Sequence, residues 1–423
     1  VDNIRLLKIE VKQGLRNLVV DRGISLKGRI TPEQKEFLEV NIKRVLPKFL
    51  KKYKIKLNRA EIDNLAQDIV SEFTGYGVIE PFLRDPLVTD IMVNSPEQIF
   101  VERQGRLERV DAKFDNKEEV MRVIEKMVAD SGKRLDLASP FVDLKIAPQQ
   151  RATLIIPPIS SRSPSFCIRK AFGDVFAARD LLAKKSITPQ ALQFLRYCVR
   201  ARLNILVAGS TGVGKTTFLN ALIKEFIPDY ARIVVIEETE EIVMDETKHH
   251  LKLVTRPPNI EGRGEVKLED LVRLALRVRP DRIIIGEVLG SEAFHFLHAA
   301  NTGHEGSMCT IHANNSADAI MRLETLAMMS EYNLSQDSIQ RFLTSGIDLI
   351  VHMQRLSNGK RAVSQISEFD YQDNRIVVDD IFSLKRAITS EGEDYQLVFS
   401  GHTPSFIERL KVKTQIPDNF FQT

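Results

Sequence analysis

"NILVAGSTGVGKTTFLNALI" (Asn204–Ile223) is the stretch that decides the fold. Asn204–Ala208 reads as a short buried strand and Thr217–Ile223 as a helix. Between them Gly209, Ser210, Thr211, Gly212, Val213, Gly214, Lys215 and Thr216 fit G-x-x-x-x-G-K-[ST] in full. The glycines let a loop wrap a phosphate with backbone N–H groups, and the helix N-terminus adds positive potential. Lys215 is expected on the β- and γ-phosphates of a nucleotide and Thr216 on Mg2+, with Thr217 closing the nucleotide-binding run. A chance glycine turn is the bland alternative, but it gives no reason for a strand before and a helix after.

Such a site needs acids at the carboxyl ends of neighbouring strands. "DRIIIGEV" (Asp281–Val288) is a second buried strand ending in Gly286-Glu287. Glu287 is expected beside the γ-phosphate, orienting or deprotonating a water; its bland reading is a helix N-cap. "IVVIEETEEI" (Ile233–Ile242) ends a third strand in Glu237-Glu238, with Glu240 and Glu241 following. Glu237 and Glu238 are favoured for water positioning or for Mg2+, with Glu238 reaching the metal directly or through a water. "GEVLGSEAFHFLHAANTGHEGSMCTIHANN" (Gly286–Asn315) holds four of the chain's eight histidines. His295 and His298 fall on a helix, and no acid–histidine pair has zinc-site spacing. His304 and His312 sit in small, polar surroundings, and the residues alone leave open whether they are metal ligands, catalytic bases or something else.

Outside this core the chain divides by pattern. Residues 1–75 read as helical. Thr31-Pro-Glu-Gln34 is a capping-box start, and Phe37, Leu38, Ile42, Val45, Leu46, Phe49 and Leu50 follow at helical spacing. Residues 1–60 carry sixteen lysines and arginines against six acids, which fits a solvated face or contact with an acidic partner or anionic lipid. Residues 76–180 look like a small α/β domain, with β-type runs at 88–93, 99–102, 152–156 and 165–169 and a capped helix from Asn116 to before Gly132; 172–188 reads as a linker. Residues 181–354 alternate buried strands with helices, as in a parallel sheet. Residues 355–423 begin with a strand, an Asp-Asn turn and a second strand, a β-hairpin appendage.

At 423 residues two or three domains are expected. A net charge of +3 gives no strong case for nucleic acid. Cys167, Cys198 and Cys309 are too scattered for a zinc module and suggest a reducing compartment. No apolar run reaches the ~18 residues of a membrane span and no signal peptide is visible, so the cytosol is the expected setting. The chain starts at Val1 instead of Met, which leaves room for a missing N-terminus.

The order of P-loop, acidic box, "RPDRIIIGEV" and "NTGHEGSMCTIHANN" resembles the secretion-superfamily ATPases of type II secretion, type IV secretion and type IV pili. Within that group it looks most like the CpaF-type ATPase of Flp/Tad pilus systems. "GYGVIEPFLRDPLVTDIMVNSPEQIFVERQGRL", "TRPPNIEGRGEV" and "RLSNGKRAVSQISEF" resemble blocks of that family, and the likeness spans roughly 70–420. It implies a RecA-like core preceded by a PAS-like α/β domain and a helical segment, ATP and Mg2+ as cofactors, and His304 and His312 as nucleotide sensors. It also implies a homo-hexamer on an inner-membrane pilus or secretion platform, cytoplasmic and peripheral, with no nucleic acid as partner. Arginines from the small domain would complete the site, with Arg134, Arg151 and Arg169 as candidates. Two rival readings remain: a DNA-translocating P-loop motor, and a nucleotide-gated scaffold with little turnover. The chain departs from the family at Leu289, where relatives carry arginine, at Glu238, at Ala147-Pro-Gln-Gln-Arg151 and at Thr153.

Overall fold

The computed structural model describes residues 2–21, 32–103, 105–131, 133–147, 150–170, 177–258, 262–332, 334–373, 375–389 and 392–422. Thr31 of the expected capping box, part of the expected linker and positions 148–149 of the expected turn lie outside them. The chain clusters into two compact units, 1–173 and 174–423, where the sequence pattern suggests four segments.

The first unit opens with α1 (Asp2–Asp21), α2 (Pro32–Lys52) and α3 (Arg59–Thr74). One apolar stripe from each helix makes a shared core: Leu7, Val11 and Leu15 meet Leu38, Ile42 and Leu46, and Ile69 and Val70 close it. The short α4 (Glu80–Arg84) leads into β1 (Val88–Ser95), β2 (Gln98–Arg103) and β3 (Arg106–Arg109). After α5 (Lys117–Ser131) come β4 (Phe141–Ala147), β5 (Gln150–Ile155) and β6 (Ser165–Lys170). Among the described residues these strands form one sheet in the order β3-β2-β1-β6-β5-β4. Asn116 caps α5 as expected: its Oδ1 accepts from Glu119 N at 2.8 Å, and Glu119 Oε2 accepts from Asp115 N at 2.8 Å. Sequence pattern missed β3 and β4. Every residue of β3 is exposed, so an edge strand of sequence RLER carries no apolar alternation to read.

The second unit runs through α6 (Ala178–Ala183), α7 (Pro189–Arg200), β7 (Ile205–Gly209), α8 (Lys215–Phe226), β8 (Ile233–Glu237), β9 (His250–Val254) and α9 (Leu268–Ala275). It continues through β10 (Arg282–Ile285), α10 (Glu292–Asn301), β11 (Met308–Ile311), α11 (Ser316–Met328), α12 (Gln336–Gly346) and β12 (Leu349–Arg355). It ends with β13 (Arg361–Gln372), β14 (Arg375–Thr389), β15 (Gly392–Phe399) and α13 (Ile407–Thr414). The sheet order is β15-β14-β13-β12-β7-β11-β10-β8-β9 among the described residues. From β12 to β9 every pairing is parallel; β13, β14 and β15 add antiparallel strands. The parallel strands are apolar on both sides because helices cover both faces.

The expected hairpin is present as β13 and β14, but it extends the core sheet through β12 and does not stand apart from it. The chain end then folds back onto α7. Fully buried Phe194 lies 5.5 Å from the Phe382 ring, 6.3 Å from Phe420 and 5.7 Å from Phe421. Thr188 is the N-cap residue of α7 and Pro189 its first helical residue; the Thr188 hydroxyl makes no cap hydrogen bond and donates instead to Leu397 O at 3.0 Å. Phe194→Ala therefore loses contacts with β14 and the chain end together. It should lower unfolding free energy by about 3–5 kcal/mol, read by urea denaturation; a loss under about 1 kcal/mol would mean the aromatic cluster does not tie these segments to the core.

Candidate functional site

The glycine loop joins the carboxyl end of β7 to α8. At Gly209 the neighbouring strand leaves no room: a Cβ there would sit 2.4 Å from Met353 O. Gly214 caps α8 at φ +95°, a left-handed conformation that favours glycine, and it brings no side chain to the helix end. The first amides of α8 are thereby left for an anion. Val213 is buried and anchors the loop, while Ser210, Thr211 and Gly212 form its exposed tip.

Lys215 is 7% exposed and folds back under this loop. Its Nζ donates to Gly209 O at 3.0 Å and Ser210 O at 3.3 Å, and lies 3.2 Å from His312 Nδ1 and 4.0 Å from Glu287 Oε1. An ammonium only donates, so Nδ1 of His312 accepts and Nε2 carries the ring proton. Nε2 lies 2.7 Å from Glu287 Oε1, off the line of a hydrogen bond, and that oxygen is buried without a hydrogen-bonding partner. Burial pulls the Lys215 pKa down, against the pull of Glu287 and Glu241. Burial also raises the Glu287 carboxyl above its ordinary value and, with Lys215 and Arg322, lowers that of His312. His312 is held neutral and Glu287 becomes a better base.

The acidic box is divided differently from the expectation. Glu237 is 2% exposed and points into the fold, where its Oε1 accepts from Glu241 N at 2.9 Å and Ile242 N at 2.8 Å. Gly286 makes room for it, since a Cβ there would lie 2.8 Å from Glu237 Cγ. Glu237 thus anchors the turn that presents Glu241, whose Oε2 accepts from Thr216 Oγ1 at 3.2 Å. Glu238 is exposed. Glu241, and not Glu238, is the acid brought to the hydroxyl expected to hold a metal. The strand Ile233–Ile236 is buried on both sides, so alternation cannot tell which way the following acids turn.

The two histidines also part company. His312 follows β11 and stands level with the glycine loop, because Ile311 pairs with Ala208. His304 precedes the same strand. Its Nδ1 lies 3.3 Å from Ala299 O, and Ser307 beside it pairs through its carbonyl with Ile205 N. That places His304 at the amino end of the parallel strands, the opposite edge from the glycine loop. It is a helix-end hydrogen bonder within this chain. The arginine candidates all face aspartates of their own unit: Arg134 pairs with Asp136, Arg151 with Asp143 at 3.2 Å, and Arg169 with Asp90 at 3.1 Å. Arg151 and Arg169 are cross-strand neighbours on one sheet face. Sequence reading missed Arg322 on α11, whose charge acts on Lys215, Glu287 and His312 together. Its only signal was its position two helical turns after the histidine loop.

Fold and loop together define a P-loop α/β protein with one mixed sheet around the nucleotide-type loop. Residues 72–381 match the family model of type II/IV secretion system proteins, and the chain belongs to that family. It is 33% identical over 327 residues to a putative conjugal transfer protein of Mycobacterium tuberculosis (strain CDC 1551 / Oshkosh), covering 76% of this chain and 92% of that one. It is 29% identical over 324 residues to the type IV secretion system protein VirB11 of Bartonella quintana (strain Toulouse), covering 68% and 90%. Among solved structures, the Legionella pneumophila ATPase DotB shares the fold with a TM-score of 0.51 at 21% identity, over 67% of this chain and 78% of that one.

Burial pushes the Glu237 pKa up from 4.5 to about 7. The folded state then binds a proton that the unfolded state has released. Its contribution to stability is full below 4.5 and is lost as pH rises through about 7. In Glu237→Gln the side chain keeps an oxygen for the two backbone amides and cannot ionise. Its stability relative to the unaltered chain should rise by about 3 kcal/mol between pH 4.5 and pH 8 in urea titrations. A difference constant across that window would show that Glu237 is not held protonated.

Proposed function

We propose that the chain is a Mg2+-dependent ATP hydrolase of the CpaF type, working as a ring of six on an inner-membrane pilus or secretion platform. The convergence of Lys215, Glu287 and His312 on the glycine loop carries this reading. The residues suit the cofactors. Lys215 Nζ is held by two neutral carbonyls and a histidine nitrogen, acceptors weaker than phosphate oxygens. Thr216 Oγ1 and Glu241 offer hard oxygen donors of the kind Mg2+ prefers. When bound, the metal ion offsets charge on the phosphates. Thr216 and Glu241 would hold it, with Ser210, Thr211, Gly212, Val213 and the first amides of α8 around the phosphates. Glu287 takes the proton from the attacking water at its carboxylate, and its raised pKa suits that task.

Coupling to a membrane platform, the six-fold ring and peripheral placement rest on the family membership and on the basic N-terminal segment. In the described residues no helix is long and apolar enough to cross a membrane. Arg134, Arg151 and Arg169 stay candidates for completing the site in the ring. A second reading, a motor for conjugal transfer, is favoured by the likeness to the mycobacterial conjugal transfer protein. Filter binding to DNA at two salt concentrations separates it from a pilus motor, since DNA contact is strongly salt-dependent.

Lys215→Ala should abolish phosphate release and weaken nucleotide binding, and Glu287→Gln should bind ATP and not hydrolyse it. Turnover of Lys215→Ala within about threefold of the unaltered chain would overturn the site. Leu289 needs no arginine to shape its loop. Leu289 N and Gly290 N both donate to Glu292 Oε1, at 2.5 and 2.7 Å, and Leu289 is 42% exposed. Leu289→Arg should therefore change kcat by less than about tenfold. A gain of about a hundredfold would show that this position stabilises the transition state.

A further inference from the structure

The loop that carries His312 is gripped from behind by the C-terminal strands. Ala313 N donates to Gly209 O at 3.4 Å, while Ala313 O faces His352 Nε2 of β12 at 3.4 Å. His352 is 3% exposed, and its Nδ1 meets Ser364 Oγ of β13 at 2.6 Å. Three residues further along, Ser316 starts α11 and is fully buried. Its N donates to Gln365 Oε1 at 3.3 Å, and its Oγ lies 2.9 Å from Ser367 Oγ. Gln365 and Ser367 both turn to Asp380 of β14. Gln365 Nε2 donates to its two oxygens at 3.2 and 3.1 Å, and Ser367 Oγ donates to Oδ1 at 2.6 Å.

Two features mark this as a built device. The β13–β14 register shifts between Ile366 and Ser367, and the β12–β13 register shifts between His352 and Met353. Irregularities of this kind re-aim side chains, and here both flank the polar cluster. The orientation of the Gln365 amide is also forced. Asp380 only accepts, so Nε2 must face it, and the backbone N–H of Ser316 requires an oxygen opposite. Ser316 and Ser367 are fully buried and Gln365 and Asp380 half-buried, and a network satisfied in this way is held to one arrangement.

We propose that Gln365 and Asp380 are positioning residues for His312, acting through Ser316, so that the β13–β14 hairpin sets the rate of the chemical step. This rests on the ATP hydrolase reading. The hairpin that extends the sheet away from the glycine loop is also the strut that holds the histidine against Lys215 and Glu287. A partner that shifts the hairpin would thereby change turnover without touching the nucleotide.

A charge exchange in the full-length chain tests this. Gln365→Glu sets two carboxylates face to face and should lower kcat about tenfold with KM nearly constant. Gln365→Glu combined with Asp380→Asn restores a donor opposite the carboxylate, because the new amide on β14 can donate to the new carboxylate on β13 and accept from Ser367. The double variant should return to within about threefold of the unaltered kcat. Urea midpoints and binding of a fluorescent ATP analogue are read on the same samples. A Gln365→Glu chain with unchanged kcat overturns the proposal, and so does a double variant that recovers stability and not turnover. An unaltered chain that releases no phosphate from Mg-ATP overturns the hydrolase reading and this proposal with it. Lys215-dependent turnover indifferent to Gln365→Glu overturns this proposal alone.

Discussion

An ammonium buried at the carboxyl ends of parallel strands has to be partnered, and the second unit is arranged around that requirement. Lys215 is largely closed off from water, so it takes two carbonyls of its own loop and the Nδ1 of His312, with Glu287 just beyond. Each partner comes from a different strand: the loop follows β7, Glu287 follows β10 and His312 follows β11. The parallel pairing of β7, β11 and β10 brings these ends level. A change in strand order would scatter the acceptors and strand the charge.

The same constraint explains the second ring of residues. Glu237 is committed to two backbone amides so that Glu241 can face Thr216. Gly286 is small because Glu237 lies against it. Glu292 takes two loop amides after β10, which frames the Glu287 turn. None of these groups need touch a nucleotide, yet each positions a residue of the proposed site. The lowered pKa of His312 and the raised pKa of Glu287 follow from burial in this frame, in the directions that the proposed roles of neutral sensor and base require.

How much of this the sequence disclosed depends on the range of the interactions. The glycine loop was legible because its geometry is local: eight consecutive residues carry their own backbone requirements. Glu287 was legible because a strand end is defined by the apolar run before it. Glu241 was not, since four acids in one short run look alike until the fold buries the first. His304 was misplaced for a related reason. A histidine four residues before a strand and one just after it lie at opposite edges of the sheet, and spacing alone does not show the strand between them as an obstacle. The Gln365–Asp380 clasp joins two strands and a helix and has no sequence signature. The C-terminal strands read correctly as a hairpin, but their pairing with β12 depends on distant partners.

The central claim is that the buried Lys215 exchanges its carbonyl and histidine acceptors for nucleotide phosphates. The 15N chemical shifts of His312 test it most directly, in the full-length chain with and without Mg2+ and a non-hydrolysable ATP analogue. The expected result is a neutral ring in both states, protonated on Nε2, with an Nδ1 shift that changes when Lys215 leaves it for phosphate. An Nδ1 shift unmoved by saturating nucleotide would contradict the claim.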